Sequence, residues 1–161
     1  MNPAVLVYVD ESGLEEALQR EYARTTKGQR AAGEINGKRA TRTSIIAGLN
    51  QGKLIAPFHF QGYCNTEVIL TWVENILTPV LSAGQIVIWD NASFHQSPKI
   101  RALIESAGCK LLFLPPYSPD LNPIEHCWAA LKAWIRKMRL PGMTLEEALA
   151  LVFQTPNKFM N

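Results

Sequence analysis

The sequence predicts an α/β fold in which helices flank one mixed β-sheet. Three β-rich runs separated by turn signals fill roughly the first 60 residues, and helical patterns then alternate with short apolar runs as far as residue 138. The chain has 161 residues, of which 47% are hydrophobic and 19% are charged. This composition is typical of a globular domain, and the length is enough to bury a substantial core.

The amino-terminal part predicts an antiparallel meander of three strands. The predicted strands cover about 4–11, 43–50 and 54–60. Ser12-Gly13 closes the first strand, and Gln51-Gly52 forms the turn between the second and the third. Asn36-Gly37 is a strong hairpin-turn signal within a basic segment that precedes the second strand.

The rest of the chain predicts alternating helices and strands. In order, these are a helix over 67–77, a strand over 85–89 that is apolar enough to be buried on both faces, a helix over 98–107, a strand over 110–114, and a helix from about 123 to 138. Helix-starting residues precede the three helices: Asn65 or Thr66, Ser97-Pro98, and Asn122-Pro123. Thr144 and Glu147 have the spacing of a capping box that opens a short last helix. This order of elements matches the ribonuclease H-like architecture.

Three acidic residues fall on the elements that this architecture brings together. Asp10 ends the first strand, Asp90 ends the apolar strand, and Glu125 lies in the first turn of the long helix, with 34 residues between the last two acids. Glu11 is expected to point to the opposite face of its strand from Asp10 and not to be a metal ligand.

Carboxylates from separate elements are the ligands that Mg²⁺ prefers, with positions left for water and phosphate oxygens. Two ions about 3.5–4 Å apart can serve phosphoryl transfer. We therefore expect Asp10 to bridge two Mg²⁺ ions, Asp90 and Glu125 each to complete one ion, and Mn²⁺ to substitute. Each acid alone also has an ordinary structural explanation, such as a turn residue or a helix-dipole partner.

Four polar or aromatic residues lie next to these acids. Asn91 and His95 follow Asp90 and are expected either to support the metal site or to contact DNA, although Asn91 also suits a turn cap. Asn122 suits the site or the cap of the long helix, with the cap preferred. Tyr117 lies between prolines in the connector from the last predicted strand to the long helix. It is expected to anchor this connector rather than to stack on a base.

Basic residues form two clusters, although the formal net charge is only +2. One cluster lies between residues 20 and 42, and the other ends the long helix. Such clusters neutralise phosphates or are solvated faces. The candidate DNA contacts are Lys38, Arg39, Arg42, Lys132, Arg136 and Lys137.

Two segments carry a family resemblance. Residues 89–95 (WDNASFH) and 114–125 (LPPYSPDLNPIE), with Val9-Asp10-Glu11-Ser12, resemble the catalytic domain of bacterial IS630-type transposases. These are DDE endonucleases of the Tc1/mariner superfamily. The resemblance implies metal-dependent cleavage and strand transfer at transposon ends, with Asp10, Asp90 and Glu125 as the acidic triad. It also implies double-stranded DNA as partner, TA as target and a homodimer as the active form.

The resemblance also sets expectations for domain organisation. We expect one catalytic domain over 1–161, without the family's amino-terminal helix-turn-helix domain, so that the chain is a fragment, one half of a frame-split transposase or a remnant. No apolar run approaches the roughly 20 residues of a membrane span, and no signal peptide is recognisable. We therefore expect a bacterial cytoplasmic protein that associates with the nucleoid when it acts. The alternative function is a non-catalytic module that binds DNA or dimerises.

Overall fold

A computed structural model describes residues 3–15 and 42–154, and in it five strands form one mixed sheet. The strands are β1 (Leu6–Glu15), β2 (Arg42–Asn50), β3 (Lys53–Gln61), β4 (Ile86–Trp89) and β5 (Lys110–Phe113). Their order across the sheet is β3-β2-β1-β4-β5. β1, β2 and β3 form the predicted antiparallel meander, while β4 runs parallel to β1 and β5 parallel to β4. The predicted mixed sheet is thus confirmed.

Within the part of the chain that the structure describes, four helices flank the sheet: α1 (Thr66–Trp72), α2 (Pro98–Ser106), α3 (Ile124–Met138) and α4 (Leu145–Gln154). A π-helical turn over Val73–Leu77 extends α1, and short 3-10 turns lie at Pro3–Val5, Thr78–Val80, Ser93–His95 and Pro119–Leu121. Within residues 3–15 and 42–154, no helix combines the length and apolar character that a membrane crossing requires.

The two faces of the sheet bury two separate cores. On one face, α3 and α4 cover residues such as Leu14, Ile45 and Ala47. On the other face, α1 and α2 cover residues such as Val9 and Ile46. Because successive side chains of a strand point to opposite faces, Asp10 faces α3, and Glu11 faces the side of α1 and α2.

Two helix starts follow the predicted capping chemistry. The Asn65 side chain accepts a hydrogen bond from the Val68 N–H at 3.0 Å. The Thr144 N–H donates to Glu147 Oε2 at 2.8 Å, and the Glu147 N–H donates to Thr144 Oγ1 at 3.1 Å. This reciprocal pair is the predicted capping box, and it satisfies two backbone donors at the start of α4.

The first strand is longer than predicted. Ser12-Gly13 does not end β1, because β2 pairs with it as far as Glu15. Gly13 permits this pairing because the Arg42 guanidinium lies where a side chain at position 13 would stand. The predicted hairpin turn at Asn36-Gly37 lies outside the described residues.

Candidate active site

The three predicted acids line one cavity of about 410 Å³ beside the carboxyl end of β4. β1 supplies Asp10, the loop after β4 supplies Asp90, and the first turn of α3 supplies Glu125. The other walls are Asn91, Ala92, Asn122 and the connector over 114–119. The fold therefore brings together the three residues that the sequence pattern selected.

Asp10 is a buried carboxylate, with only 8% of the residue exposed. The Trp128 indole N–H donates a hydrogen bond to Asp10 Oδ2 at 2.9 Å. Burial, and then the negative charges of Glu11 and Glu125, raise the pKa of Asp10 to about 7, although the bond from Trp128 partly opposes the rise. The ionised form of Asp10 is therefore held at an electrostatic cost that a nearby cation would relieve.

Asp90 is half-exposed and contacts a buried histidine. Its Oδ1 meets His95 Nδ1 and also accepts a hydrogen bond from the Ala92 N–H at 3.2 Å. Burial raises the pKa of Asp90, but the contact with His95 outweighs burial and the pKa is lowered. Burial would lower the pKa of His95, yet the carboxylates of Asp90 and Glu11 raise it to about 9.

Glu11 lies on the face of β1 opposite Asp10, as predicted, but its side chain is part of the same constellation. His95 Nε2 lies 3.0 Å from Glu11 Oε1 and 3.1 Å from Oε2. The Trp89 indole N–H donates to Glu11 Oε1 at 3.1 Å. Glu11 is thus connected to Asp90 through the imidazole of His95.

Asn122 does not cap α3, so the preferred sequence interpretation is wrong. The helix begins at Ile124 after Pro123, without a side-chain capping bond. The Asn122 side chain instead crosses to β1, where its Nδ2 donates to the Val9 carbonyl at 3.3 Å. This bond ties the start of α3 to the residue before Asp10. Within the described residues, the buried Asn122 Oδ1 has no hydrogen-bond partner.

Asn91 and Tyr117 both lie on the rim of the cavity. Asn91 is exposed, and its Oδ1 accepts a bond from Gln96 Nε2 at 2.6 Å. The expectation that Tyr117 anchors the connector is wrong, because its side chain is fully exposed. The connector directs the ring outward by placing Tyr117 in the left-handed region, at φ 56°, a conformation that is uncommon for residues other than glycine.

The candidate DNA contacts fall into three groups. Lys38 and Arg39 lie outside the described residues, and Arg42 starts β2 with its guanidinium carbon 4.9 Å from the centre of the Tyr63 ring. Lys132 and Arg136 lie about two and three helical turns after Glu125, within about 20° of its direction around α3. Lys137 projects about 120° away from that direction.

The donors present suit a divalent cation, although they do not form a closed coordination sphere. Across residues 3–15 and 42–154, no three His, Cys, Asp or Glu side chains are grouped closely enough to hold one metal ion. The cavity nevertheless offers carboxylate oxygens and the unpartnered Asn122 Oδ1, which are oxygen ligands of the kind that Mg²⁺ and Mn²⁺ accept.

Sequence reasoning missed Trp128 and Glu11 as parts of the site. The helical spacing of Trp128 indicates a core residue, and the side chain is indeed buried. Its position three residues after Glu125 was the available signal, because residues i and i+3 lie on neighbouring parts of a helix. For Glu11 the signal was Trp89 and His95 flanking the second acid, two side chains whose N–H groups require acceptors when buried.

The raised pKa of Asp10 predicts how the metal-free protein responds to pH. Folded Asp10 binds a proton more tightly than unfolded Asp10, whose pKa is near 3.8, so its contribution to the free energy of unfolding falls as pH rises towards about 7. Asp10→Asn removes this pH-dependent loss of unfolding free energy, because asparagine does not ionise. We expect the variant to gain roughly 2–4 kcal/mol relative to the wild type between about pH 4 and pH 8, as measured by urea denaturation in EDTA. A stability difference that is independent of pH would contradict the assignment.

Comparisons with known proteins agree with this geometry. The model of the DDE superfamily endonuclease family matches residues 5–143. An uncharacterized protein of Sinorhizobium fredii is 35% identical over 71 residues, which are 44% of this chain and 50% of that protein. The Tc1 transposase of Caenorhabditis elegans is 36% identical over 74 residues, which are 46% of this chain and 25% of that protein.

Solved structures share the fold. A pre-cleavage Mos1 transpososome superposes with a TM-score of 0.73 at 18% identity, over 98% of this chain and 51% of that one. The catalytic domain of Mos1 mariner transposase gives 0.62 at 15% identity, over 99% of this chain and 74% of that one. The ribonuclease H-like prediction is thereby confirmed. This chain spans half or less of the sequence relatives' length. It belongs to the DDE superfamily endonuclease family, and the resemblance to Tc1/mariner transposase catalytic domains is confirmed.

Proposed function

We propose that this chain carries out metal-dependent DNA cleavage and strand transfer at transposon ends, with Asp10, Asp90 and Glu125 as its acidic triad. The observation that carries the proposal is that all three acids line the same cavity, with Asp10 buried in its wall and its pKa raised first by burial and then by its acidic neighbours. A buried carboxylate near other carboxylates is costly unless a cation joins them.

The three acids have distinct proposed roles. Asp10 would be shared by two Mg²⁺ ions, and Asp90 and Glu125 would each help to hold one of them, with Mn²⁺ as a substitute. When bound, such ions supply Lewis-acid stabilisation of the attacking and leaving oxygens of a phosphodiester. Each ion then needs only two protein carboxylates, since water and phosphate oxygens fill its other positions. A cluster of three side chains around one ion is not required.

The neighbouring residues hold these ligands in place. Trp128 fixes one oxygen of Asp10 through its indole N–H. Asn122 joins the start of α3 to β1, which holds the Glu125 turn beside Asp10. Its Oδ1 faces no other protein partner within the described residues and is available to a water on a bound ion. These contacts leave the more exposed Glu125 able to adjust when a cation binds.

Double-stranded DNA is the proposed partner, and we propose that the duplex lies along α3. An acidic cavity repels phosphates, so binding requires positive charge beside it. Lys132 and Arg136 lie on the Glu125 side of the helix and supply that charge, while the exposed Tyr117 ring at the cavity is available to stack on a base. Lys38, Arg39, Arg42 and Lys137 are proposed as further contacts. Similar structures include a Mos1 paired-end complex with the left transposon end.

The remaining proposals concern the assembly and its setting. We infer that 1–161 acts as one catalytic domain, as a homodimer that pairs two transposon ends and inserts at TA. Recognition of end sequences is assigned to a separate helix-turn-helix domain. Action on nucleoid DNA in the bacterial cytoplasm is the proposed location. The second candidate function is a non-catalytic DNA-binding or dimerising remnant, in which the three acids would be retained without binding a cation.

Cation binding and DNA nicking by acid variants distinguish these two functions. We expect the wild type to bind Mn²⁺ and to nick supercoiled DNA, while Asp10→Asn, Asp90→Asn and Glu125→Gln bind Mn²⁺ at least about 10-fold more weakly and do not nick, because each loses a charged ligand. Calorimetry and gel assays measure the two effects. Glu15→Gln, an exposed position on the same strand as Asp10, is the matched control.

One result would contradict the enzymatic function, and another would support only its metal site. If the folded wild type binds no Mn²⁺ and no DNA is nicked, the non-catalytic function is correct. If it binds Mn²⁺ without nicking, the triad is a working metal site in a chain that needs a further DNA-recognition region.

The salt dependence of DNA binding tests the proposed path along α3. Lys132→Ala and Arg136→Ala should each weaken binding and reduce the slope of log K against log salt by about 1, because each loses a phosphate contact. Tyr117→Ala should lower affinity by about 1–3 kcal/mol without changing the slope, because stacking releases no counterions. Lys110→Ala is the control, since Lys110 is exposed at the amino end of β5, and Asp90 follows the carboxyl end of β4. A changed slope in the control, with none in Lys132→Ala and Arg136→Ala, would refute the path.

A further inference from the structure

A buried histidine joins two carboxylates that reach it from different elements. His95 Nδ1 contacts Asp90 Oδ1, and His95 Nε2 lies 3.0 Å from Glu11 Oε1. We propose that Glu11 and His95 are positioning residues that fix the orientation of the Asp90 carboxylate for its cation. The inference rests on the proposed function, because it assigns Asp90 to a metal site.

The imidazole of His95 has little freedom to move. Its side chain is fully buried, its ring stacks on Trp89 with 4.5 Å between centroids, and Phe94 packs against it edge-on at 4.2 Å. Its backbone N–H donates to the Ala92 carbonyl at 3.0 Å. With ring and backbone both held, the direction of the Nδ1 contact towards Asp90 is set by the protein.

Glu11 is held equally firmly at the other end. Its side chain is only 13% exposed, and the Trp89 indole N–H occupies Oε1 from a second direction. Pairing of Glu11 with Ile46 of β2 fixes its backbone. Because Glu11 follows Asp10 on the same strand, β1 places one candidate ligand directly on one face and supports another from the opposite face.

These contacts leave one oxygen of Asp90 for other partners. His95 and the Ala92 N–H both use Oδ1. Within residues 3–15 and 42–154, Oδ2 accepts no hydrogen bond and lies on a residue that lines the cavity. Outer residues that orient a metal ligand commonly influence affinity nearly as strongly as the ligand does. In many metal sites a carboxylate orients a histidine ligand, whereas here a histidine orients a carboxylate ligand.

The competing explanation is that His95 only fills space between Trp89 and Phe94. Two substitutions of similar size separate positioning from packing. The amide of His95→Asn can occupy the place of Nδ1 and keep a donor towards Asp90, whereas the longer His95→Gln reaches the place of Nε2 and keeps only the contact with Glu11. A packing role predicts that Mn²⁺ affinity falls in step with thermal stability in both variants.

The test is Mn²⁺ binding by calorimetry on the whole chain, with melting temperatures measured in parallel. We expect about 10- to 100-fold weaker binding for His95→Gln, which loses the contact with Asp90, and a smaller loss for Glu11→Gln and His95→Asn, which each keep a donor towards Asp90. His59→Gln and Glu15→Gln are the matched controls and should bind as the wild type does. Neither position belongs to the site.

The outcomes separate the inference from the proposed function. The positioning inference is tested separately when the wild type binds Mn²⁺ and Asp90→Asn does not. In that case it alone is overturned if His95→Gln and Glu11→Gln bind Mn²⁺ normally, or if His95→Asn binds Mn²⁺ as weakly as His95→Gln. If the wild type binds no Mn²⁺, the metal site fails and the inference falls with it.

A second measurement addresses variants that fail to fold. The ring ¹⁵N signals of His95 in the metal-free chain report both contacts. Asp90→Asn should shift mainly Nδ1, and Glu11→Gln should shift mainly Nε2, because each substitution changes the partner of one nitrogen. Signals that respond to neither substitution would overturn the inference without any metal present.

Discussion

The buried carboxylate of Asp10 is the constraint around which the rest of the site is arranged. A charged group that is only 8% exposed and lies near two other acids is expensive to keep ionised. The protein compensates with one strong donor, Trp128, which is 118 residues away in sequence. That bond requires α3 to pack across β1. The position of the last long helix therefore determines the electrostatic environment of Asp10 on the first strand. A divalent cation in the cavity would complete the compensation.

The alternation of β1 extends this constraint to the other face of the sheet. Asp10 and Glu11 are adjacent, yet one contacts α3 through Trp128 and the other contacts Trp89 and His95. The strand thus links two hydrogen-bonded groups that approach the cavity from opposite sides. Its pairing with β2 on one edge and β4 on the other makes it the central strand of the sheet, which suits residues that must hold charge in a fixed place.

Much of this could be predicted from local sequence, and the rest depended on contacts between distant residues. Strand alternation, helix spacing and turn residues predicted the sheet and three of its helices closely, and the acids at element ends predicted the cavity. The proline-rich connector was recognised, but the neighbouring sequence did not indicate that the Tyr117 side chain would face outward. Asn122 was assigned to a helix cap because its partner, the Val9 carbonyl, is 113 residues away. The bond of Trp128 to Asp10 was missed for the same reason, because the two residues are 118 positions apart. The end of β1 was placed too early because Gly13 normally marks a turn, whereas here it makes room for Arg42.

The proposed function depends most on the sharing of Asp10 by cations in this cavity. The most direct measurement is anomalous X-ray diffraction from crystals of the whole chain soaked in Mn²⁺. We expect anomalous peaks within the cavity, with Asp10 oxygens at about 2.0–2.6 Å and Asp90 or Glu125 completing each ion. Peaks elsewhere on the protein, or an empty cavity at a Mn²⁺ concentration that saturates binding in solution, would contradict it.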